Sequence, residues 1–355
     1  MKKILALIAA ILFLQGMTTV SQADGAIIEI SDIAGLMAMA ENPTGSYRLT
    51  RDLDLAGMDW VPISFAGEFD GGGHTIYNLR VEQPGPATRT TRDGNLKEYD
   101  TVFAGLFATL ENADIHDLNL VGAYIGIESD RHCFAAILTG YMDHTTIRDV
   151  SVDGRVWLVN HAVMTGTGGM AGFGCGAFER CRIKCELVFE DRNFDKKCEQ
   201  FLGGVLSCGI CSILDCSVDI DAYDSCHGYV HNGGLMGLYY HCGMNYKKGP
   251  VNRCVIAGRI YFFEDNRDRR AYCRPGIGEH LQKPTQRVGN KAGGFKKKET
   301  RKVDKVLLPE TCENPEYTLT VTDSTMDSWG YTVHTCQGCG YTWTDTYTPP
   351  VGRAD

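Results

Sequence analysis

This 355-residue sequence predicts an all-β fold: a right-handed parallel β-helix, or solenoid, with a capping helix in front and a small cysteine-containing β-hairpin module behind. Three observations predict it. Gly-rich or small-residue openers recur at 104, 135, 168, 203 and 233, giving steps of 31, 33, 35 and 30 residues by subtraction, and a sustained period of this size marks a solenoid or array. Each period closes on a segment that alternates apolar and polar residues, such as Ile115-His-Asp-Leu118-Asn-Leu120 and Ile213-Leu-Asp-Cys216-Ser-Val218, which is the pattern of a strand with one buried face. The stretches between opener and closer are too short and too rich in Gly for paired helices.

The elements follow in order. Met1-Lys2-Lys3, the apolar run Ile4 to Leu14 and Ser21-Gln22-Ala23 have the three-part build of a secretory signal. The apolar run is shorter than the ~20 residues that cross a bilayer, so residues 1–23 read as a cleaved signal peptide. The expected destination is secreted or extracellular, with no stable membrane span after cleavage. Residues 24–46 form the expected N-terminal cap. Ser31 is placed to cap a helix in which Ile33, Leu36, Met37 and Ala40 keep helical spacing.

Residues 47–275 carry the repeats. Aligning the closers brings Leu118, Val150, Cys181, Cys216 and Cys254 to one inward position, and Cys185 to the position of Ile220. Cysteine acts there as a small buried hydrophobe. Rungs about 4.8 Å apart would also let neighbouring cysteines bridge, so packing and bridging both fit the column.

Within this region Tyr47-Arg-Leu-Thr-Arg-Asp52-Leu-Asp54-Leu, Trp60-Val-Pro62-Ile63 and Phe65-Ala-Gly67-Glu-Phe69-Asp70-Gly71-Gly-Gly-His74-Thr-Ile76-Tyr-Asn78-Leu79 closely resemble the opening coils of GLUG-motif bacterial surface proteins. The resemblance implies a pectin-lyase-like β-helix at the cell surface. In IgA-specific metalloproteases such a region accompanies the catalytic domain. The zinc motif H-E-x-x-H is absent from this sequence, so the resemblance does not bring the protease activity with it. Asp52, Asp54 and Asp70 belong to the turn pattern, and Asx turns account for them.

Residues 276–308 shift to Gly, Lys, Thr and Gln without apolar periodicity and read as a linker. Residues 309–350 form the last module. Its alternating segments flank Cys336-Gln-Gly-Cys339-Gly, which reads as a hairpin with a cysteine turn. This module resembles short CxxCG modules near the ends of secreted Gram-positive proteins. Two readings stand here. Cys312, His334, Cys336 and Cys339 could ligate zinc, as in a zinc knuckle. Alternatively, Cys312 pairs with Cys336 or Cys339 in a disulfide, as export favours.

The formal net charge is −9 and no basic stripe follows the repeats, which argues against a nucleic-acid partner. Asp117, Asp149 and Asp215 stack at one outward position, with Arg180 and Arg253 interrupting the row, and form the candidate ligand-binding set. Aromatic residues including Tyr223, Tyr240 and Tyr261 gather in the last coils, where they either stack on sugar rings or fill the core. No convergent acid–base set stands out, so the expected function is non-catalytic: a binding or adhesion module for an extracellular glycan or a host or matrix protein. The alternative is a polysaccharide lyase or glycosidase with carboxylates on the solenoid face.

Overall fold

The computed structural model describes residues 26–86, 88–92, 98–192, 199–226, 228–240, 246–263, 271–274, 276–280, 290, 296–300, 316–323, 330–337 and 342–348. The expected signal segment 1–23 lies outside the described residues. No described helix is long and apolar enough to cross a membrane, which says nothing of β-barrels.

Three sheets of twelve, nine and seven strands, here A, B and C, wind together into a parallel β-solenoid. The regular coils contribute one stretch to each sheet in turn. One coil runs through Thr139–Arg148 in A, Ser151–Asn160 in B and Met164–Gly168 in C. The next runs through Ala171–Glu179, Arg182–Asp191 and Glu199–Gly203, and the one after through Leu206–Leu214, Ser217–Asp224 and Tyr229–Gly233. Pairing is parallel and in register from coil to coil, with Ser151 opposite Arg182 and Arg182 opposite Ser217. One exception is the antiparallel pair Thr88–Arg92 with Glu98–Ala104 at the side of sheet C.

The corner between sheets A and B takes two residues, the first of them left-handed. Asp117, Asp149, Arg180, Asp215 and Arg253 all adopt φ between 51° and 56° there. Left-handed backbone is uncommon outside Gly, Asn and Asp, and it is unusual for Arg. Stacking imposes it, because the rung-to-rung ladder runs straight through the corner. The N–H groups of Asp149, Arg180 and Asp215 donate to the carbonyls of Glu179, Leu214 and Asn252 at 3.0, 2.9 and 3.2 Å. The second residue of each corner points inward, and Leu118, Val150, Cys181, Cys216 and Cys254 all sit in the main core. Nine described cysteines, this column included, are buried free thiols. A second apolar cluster sets Phe103, Phe134 and Phe201 of sheet C against Tyr141 and Phe173 of sheet A. Cys133 and Ala135 flank Phe134 and lie in the main core, so Phe134 faces the other side of its strand.

At the front end, the helix Ile33–Ala38 is capped by Asp32, not Ser31: the Asp32 carboxylate accepts from the Gly35 N–H at 2.7 Å. The helix is shorter than two full turns, and its last turn tightens through a Met39 N–H to Leu36 carbonyl bond. The buried residues therefore step by three, Leu36 and Met39, while Met37 and Ala40 of the expected stripe stay exposed. Leu36 and Met39 close the first coil over Ile30, Tyr47 and Leu49.

Within 276–308, the stretch expected as a linker, two strands continue the stack. Ile277–His280 pairs with Met236–Tyr239, and Lys296–Thr300 pairs with the end of Val255–Phe263. The C-terminal module is a three-stranded antiparallel sheet of Tyr317–Thr322, Gly330–Cys336 and Thr342–Thr348, so the expected hairpin has a third strand.

Asp224 lies at the corner before sheet C, inside the solenoid wall. Its carboxylate accepts from the Cys226 N–H at 2.9 Å and from the Asn232 side-chain amide at 2.7 Å. Full burial outweighs these bonds and pushes its pKa up to about 6. The folded value exceeds the ~3.9 of the unfolded chain, so the contribution to stability is full below about pH 4 and is lost as pH rises through 6.

Two outcomes follow from this packing. Gly258 has φ 102°, and a Cβ there would meet the Ile220 carbonyl oxygen of the adjoining rung at 1.9 Å. Gly258→Ala should cost about 2 kcal/mol or more, read as a lowered urea midpoint. Asp224→Asn should flatten the stability profile between pH 4 and 6 and raise the midpoint at pH 7.5, by up to about 3 kcal/mol. The Asn232 Oδ1, without a partner among the described residues, can accept from the new amide after a flip. A profile that stays equally steep would show that Asp224 does not titrate this way.

Candidate ligand-binding face

The outer face of sheet B offers the richest surface chemistry, because its outward positions repeat at every rung. The first column is the corner row itself. The structure stacks Asp117, Asp149 and Asp215 with the two arginines, and the arginines close onto the carboxylates. Arg180 grips Asp149 through two hydrogen bonds of 2.7 and 2.5 Å, and Arg253 grips Asp215 at 2.6 and 2.5 Å. Each guanidinium holds its partner carboxyl below the usual carboxylate range. At the corner position of the next rung Asp117 faces Asp149 and not an arginine, and its carboxylate meets His116 Nδ1 at 2.8 Å. The row is thus an ion-pair ladder rather than an open carboxylate cluster.

His116 gathers further acids: Glu68 lies 3.3 Å from Nε2 and Asp70 lies 3.6 Å from Nδ1. Burial pulls the imidazole pKa down, the bonds to Asp117 and Glu68 more than offset it, and the net shift is upward. Asp54 and Asp70 make the expected Asx-type bonds, accepting from the Ala56 and Gly72 N–H groups two residues on; Asp52 does not, and instead accepts from the Thr75 N–H of the adjoining coil.

Beside the ladder a shallow groove of about 410 Å³ runs across five rungs, from Val121 to Val255, its polar lining supplied by Ser151, Asp153, Arg182, Lys184, Ser217 and Asp219. Ser151, Arg182 and Ser217 are ladder partners, as are Asp153, Lys184 and Asp219. Burial pushes the Asp153 carboxyl up, against the pull of the Lys184 ammonium 3.6 Å away. The next column runs Arg155, Glu186, Asp221 and Arg259, with its two adjacent acids held from either end: Arg155 and Glu186 lie 3.3 Å apart, and Arg259 binds Asp221 at 2.9 and 2.6 Å.

The groove is followed by an aromatic stripe. Trp157, Val188, Tyr223 and Tyr261 are successive ladder partners. Tyr223 and Tyr261 stack face to face with centroids 4.8 Å apart and planes 6° apart. The Tyr124 ring extends the stripe by lying over Gly126, the partner of Trp157, with Arg80 stacked on its other side at 4.8 Å. These four aromatic side chains are half-buried, so each keeps part of its ring at the surface. Of the aromatics noted in the last coils, Tyr223 and Tyr261 therefore stand on the outer face, whereas Tyr239 is fully buried.

The remaining candidates fall elsewhere. Cys312 and Cys339 lie outside the described residues. His334 and Cys336 occupy the strand Gly330–Cys336, in register with Leu319 and Tyr317. His231 stacks on Phe201 and meets Glu199 at 3.1 Å. Among the described residues, two groups bring three metal-ligating side chains within 4.8 Å of one another: Asp70 with His116 and Asp117, and Asp143 with His144 and Cys175. The second group escaped sequence reasoning, since its members lie about one coil apart.

Comparison with known proteins places this chain as follows. No family model matches it. Halomucin of Haloquadratum walsbyi (strain DSM 16790 / HBSQ001) is 34% identical over 118 residues, covering 28% of this chain and 1% of halomucin. Among solved structures, an IgA1 protease superposes with a TM-score of 0.37 at 16% identity, covering 77% of this chain and 21% of that one. A putative immunoglobulin A1 protease from Bacteroides ovatus gives 0.32 at 15% identity, covering 77% and 85%. The chain thus spans about 1% of the curated relative it matches and about a fifth of the first of these structures.

Proposed function

We propose that this protein is a secreted or cell-surface binding module that holds an extended glycan along the outer face of sheet B. The observation that carries the reading is the aromatic stripe of Tyr124, Trp157, Tyr223 and Tyr261 beside a groove lined by hydroxyl, carboxylate and basic side chains together with aliphatic ones. Sugar rings present an apolar C–H face and a hydroxyl edge. A flat aromatic takes the first, and paired charges and serines take the second. The stripe crosses five rungs, about 19 Å at the usual strand spacing, so it suits a chain of several sugars rather than one. The signal-like first 23 residues support export, and the local likeness to halomucin supports a surface setting.

One observation favours a second reading, a glycan-cleaving enzyme at the same groove. Asp153 and Asp219 stand two rungs apart, about 10 Å along the stack, with Lys184 between them. That separation is near the ~6.5–9.5 Å of an inverting carboxylate pair, and the upward-shifted Asp153 would be the acid.

A glycan array probed with the full chain tests the first reading. Tyr223→Ala and Tyr261→Ala should each weaken binding about two- to tenfold, the equivalent of about 0.5–1.5 kcal/mol, with little change in urea midpoint. A full array without a hit, or affinity indifferent to both changes, would remove the binding proposal. Incubation of bound polysaccharides with and without Ca²⁺ tests the second reading. New reducing ends abolished by Asp153→Asn would establish cleavage, and their absence would dismiss it.

A further inference from the structure

Between Tyr141 and Ile147 one coil is a residue longer than the coil that follows it. From Tyr141 to Ile147 is six steps and from Phe173 to Phe178 is five, yet Tyr141 pairs with Phe173 and Ile147 with Phe178. The surplus residue is absorbed at the register shift between Met142 and Thr145. Asp143 and His144 there stand opposite the single residue Cys175, which is the two-against-one arrangement of a β-bulge. His144 takes φ 49°, as Asn112 does at 53° in the preceding coil. That backbone suits Asn at least as well as His, so the turn alone does not explain an imidazole at this position.

The bulge converges three donors of different kinds. Asp143 Oδ1 lies 3.0 Å from the Cys175 Sγ and 2.7 Å from the His144 Nδ1, and the sulfur and the nitrogen are 4.0 Å apart. Cys175 is fully buried, while the His144 side chain is 42% exposed, so the cluster opens to solvent on one side. The Tyr246 ring stands edge-on to the imidazole at 5.4 Å and forms a wall.

We propose that Asp143, His144 and Cys175 form a zinc-binding site with one sulfur, one nitrogen and one oxygen ligand and an open fourth position. Zinc ligands at about 2.0–2.3 Å in a tetrahedron lie roughly 3.3–3.8 Å from one another, so the three observed separations bracket what the ion needs. Small side-chain rotations suffice, with zinc replacing the shared hydrogen bonds. The donor set selects a borderline transition ion over Ca²⁺ or Mg²⁺, which take oxygen ligands. Without the ion, burial and the Asp143 carboxylate push the thiol up to about 12, and it donates its proton to Asp143. Binding exchanges the S–H bond for a Zn–S bond and releases the proton to solvent. Thiolate and carboxylate then neutralise the dication beside a neutral imidazole.

The test uses the full chain with Cys336→Ser and Cys339→Ser, so that the C-terminal cysteines do not add a site. After loading with Zn²⁺ and dialysis, metal analysis should find one zinc per chain. His144→Asn keeps the left-handed turn and should weaken binding at least about tenfold, as should Cys175→Ser. Loading with Co²⁺ should give a thiolate charge-transfer band that Cys175→Ser removes while the urea midpoint of His144→Asn stays at the parent value. Zinc well below one per chain in the parent, or zinc retained in full by His144→Asn, would overturn the site.

Discussion

Parallel backbone hydrogen bonding from coil to coil is the constraint on which the rest of this structure depends. A strand in sheet B can satisfy its N–H and C=O groups only against the strands one coil before and one coil after, about 4.8 Å away on each side. Every side chain therefore sits directly above and below the residue that occupies its own position in the neighbouring coils. Ser151, Arg182 and Ser217 show this on the outside, and Val150, Cys181 and Cys216 show it within. Even the corner residues obey it, since Arg180 and Arg253 accept left-handed backbone to keep the ladder continuous.

Stacking like on like raises the cost of a uniform column and rewards an alternating one. Three acids at 4.8 Å intervals would repel, so the corner row places an arginine after Asp149 and another after Asp215, and each pair closes bidentately. The same alternation recurs in Asp153, Lys184 and Asp219, while in the next column the adjacent acids Glu186 and Asp221 are flanked by Arg155 and Arg259. Inside, cysteine meets the space left by its neighbours. Its volume is small, and desolvation keeps Cys185 and Cys211 protonated far above their ordinary range. In the corner column Cys181, Cys216 and Cys254 fill the core, as the alignment implies, and are free rather than bridged.

Register shifts interrupt uniform stacking between Phe107 and Thr109, between Leu120 and Ala123 and between Met142 and Thr145, and the last of these carries polar chemistry. The register shift after Met142 forces two residues against one and sets Asp143 and His144 over Cys175. The corner before sheet C buries Asp224 beside Asn232, holding a carboxylate whose protonation falls within the mildly acidic range. The broad outer face of sheet B works by regular repetition instead. Its groove and aromatic stripe exist because one outward residue per coil is presented at a fixed interval, which is how a solenoid builds a long surface from short strands.

The sequence by itself determined the solenoid, its inward columns and the composition of its outward rows, because a 30–35-residue period with alternating closers admits one way to stack. It showed Arg180 and Arg253 interrupting the acids, and it marked Asp54 and Asp70 as turn residues. The tertiary structure decided what those rows do: that the arginines close onto the acids, that Tyr223 and Tyr261 face outward as a stacked pair, and that Ile277–His280 and Lys296–Thr300 join the stack. It also decided that Asp32 caps the short first helix and that Asp143, His144 and Cys175 meet. The physical reason is shared. Which residue faces which depends on register, and a single surplus residue, invisible in composition and small against a period of thirty, is absorbed locally and sets Asp143 and His144 opposite Cys175.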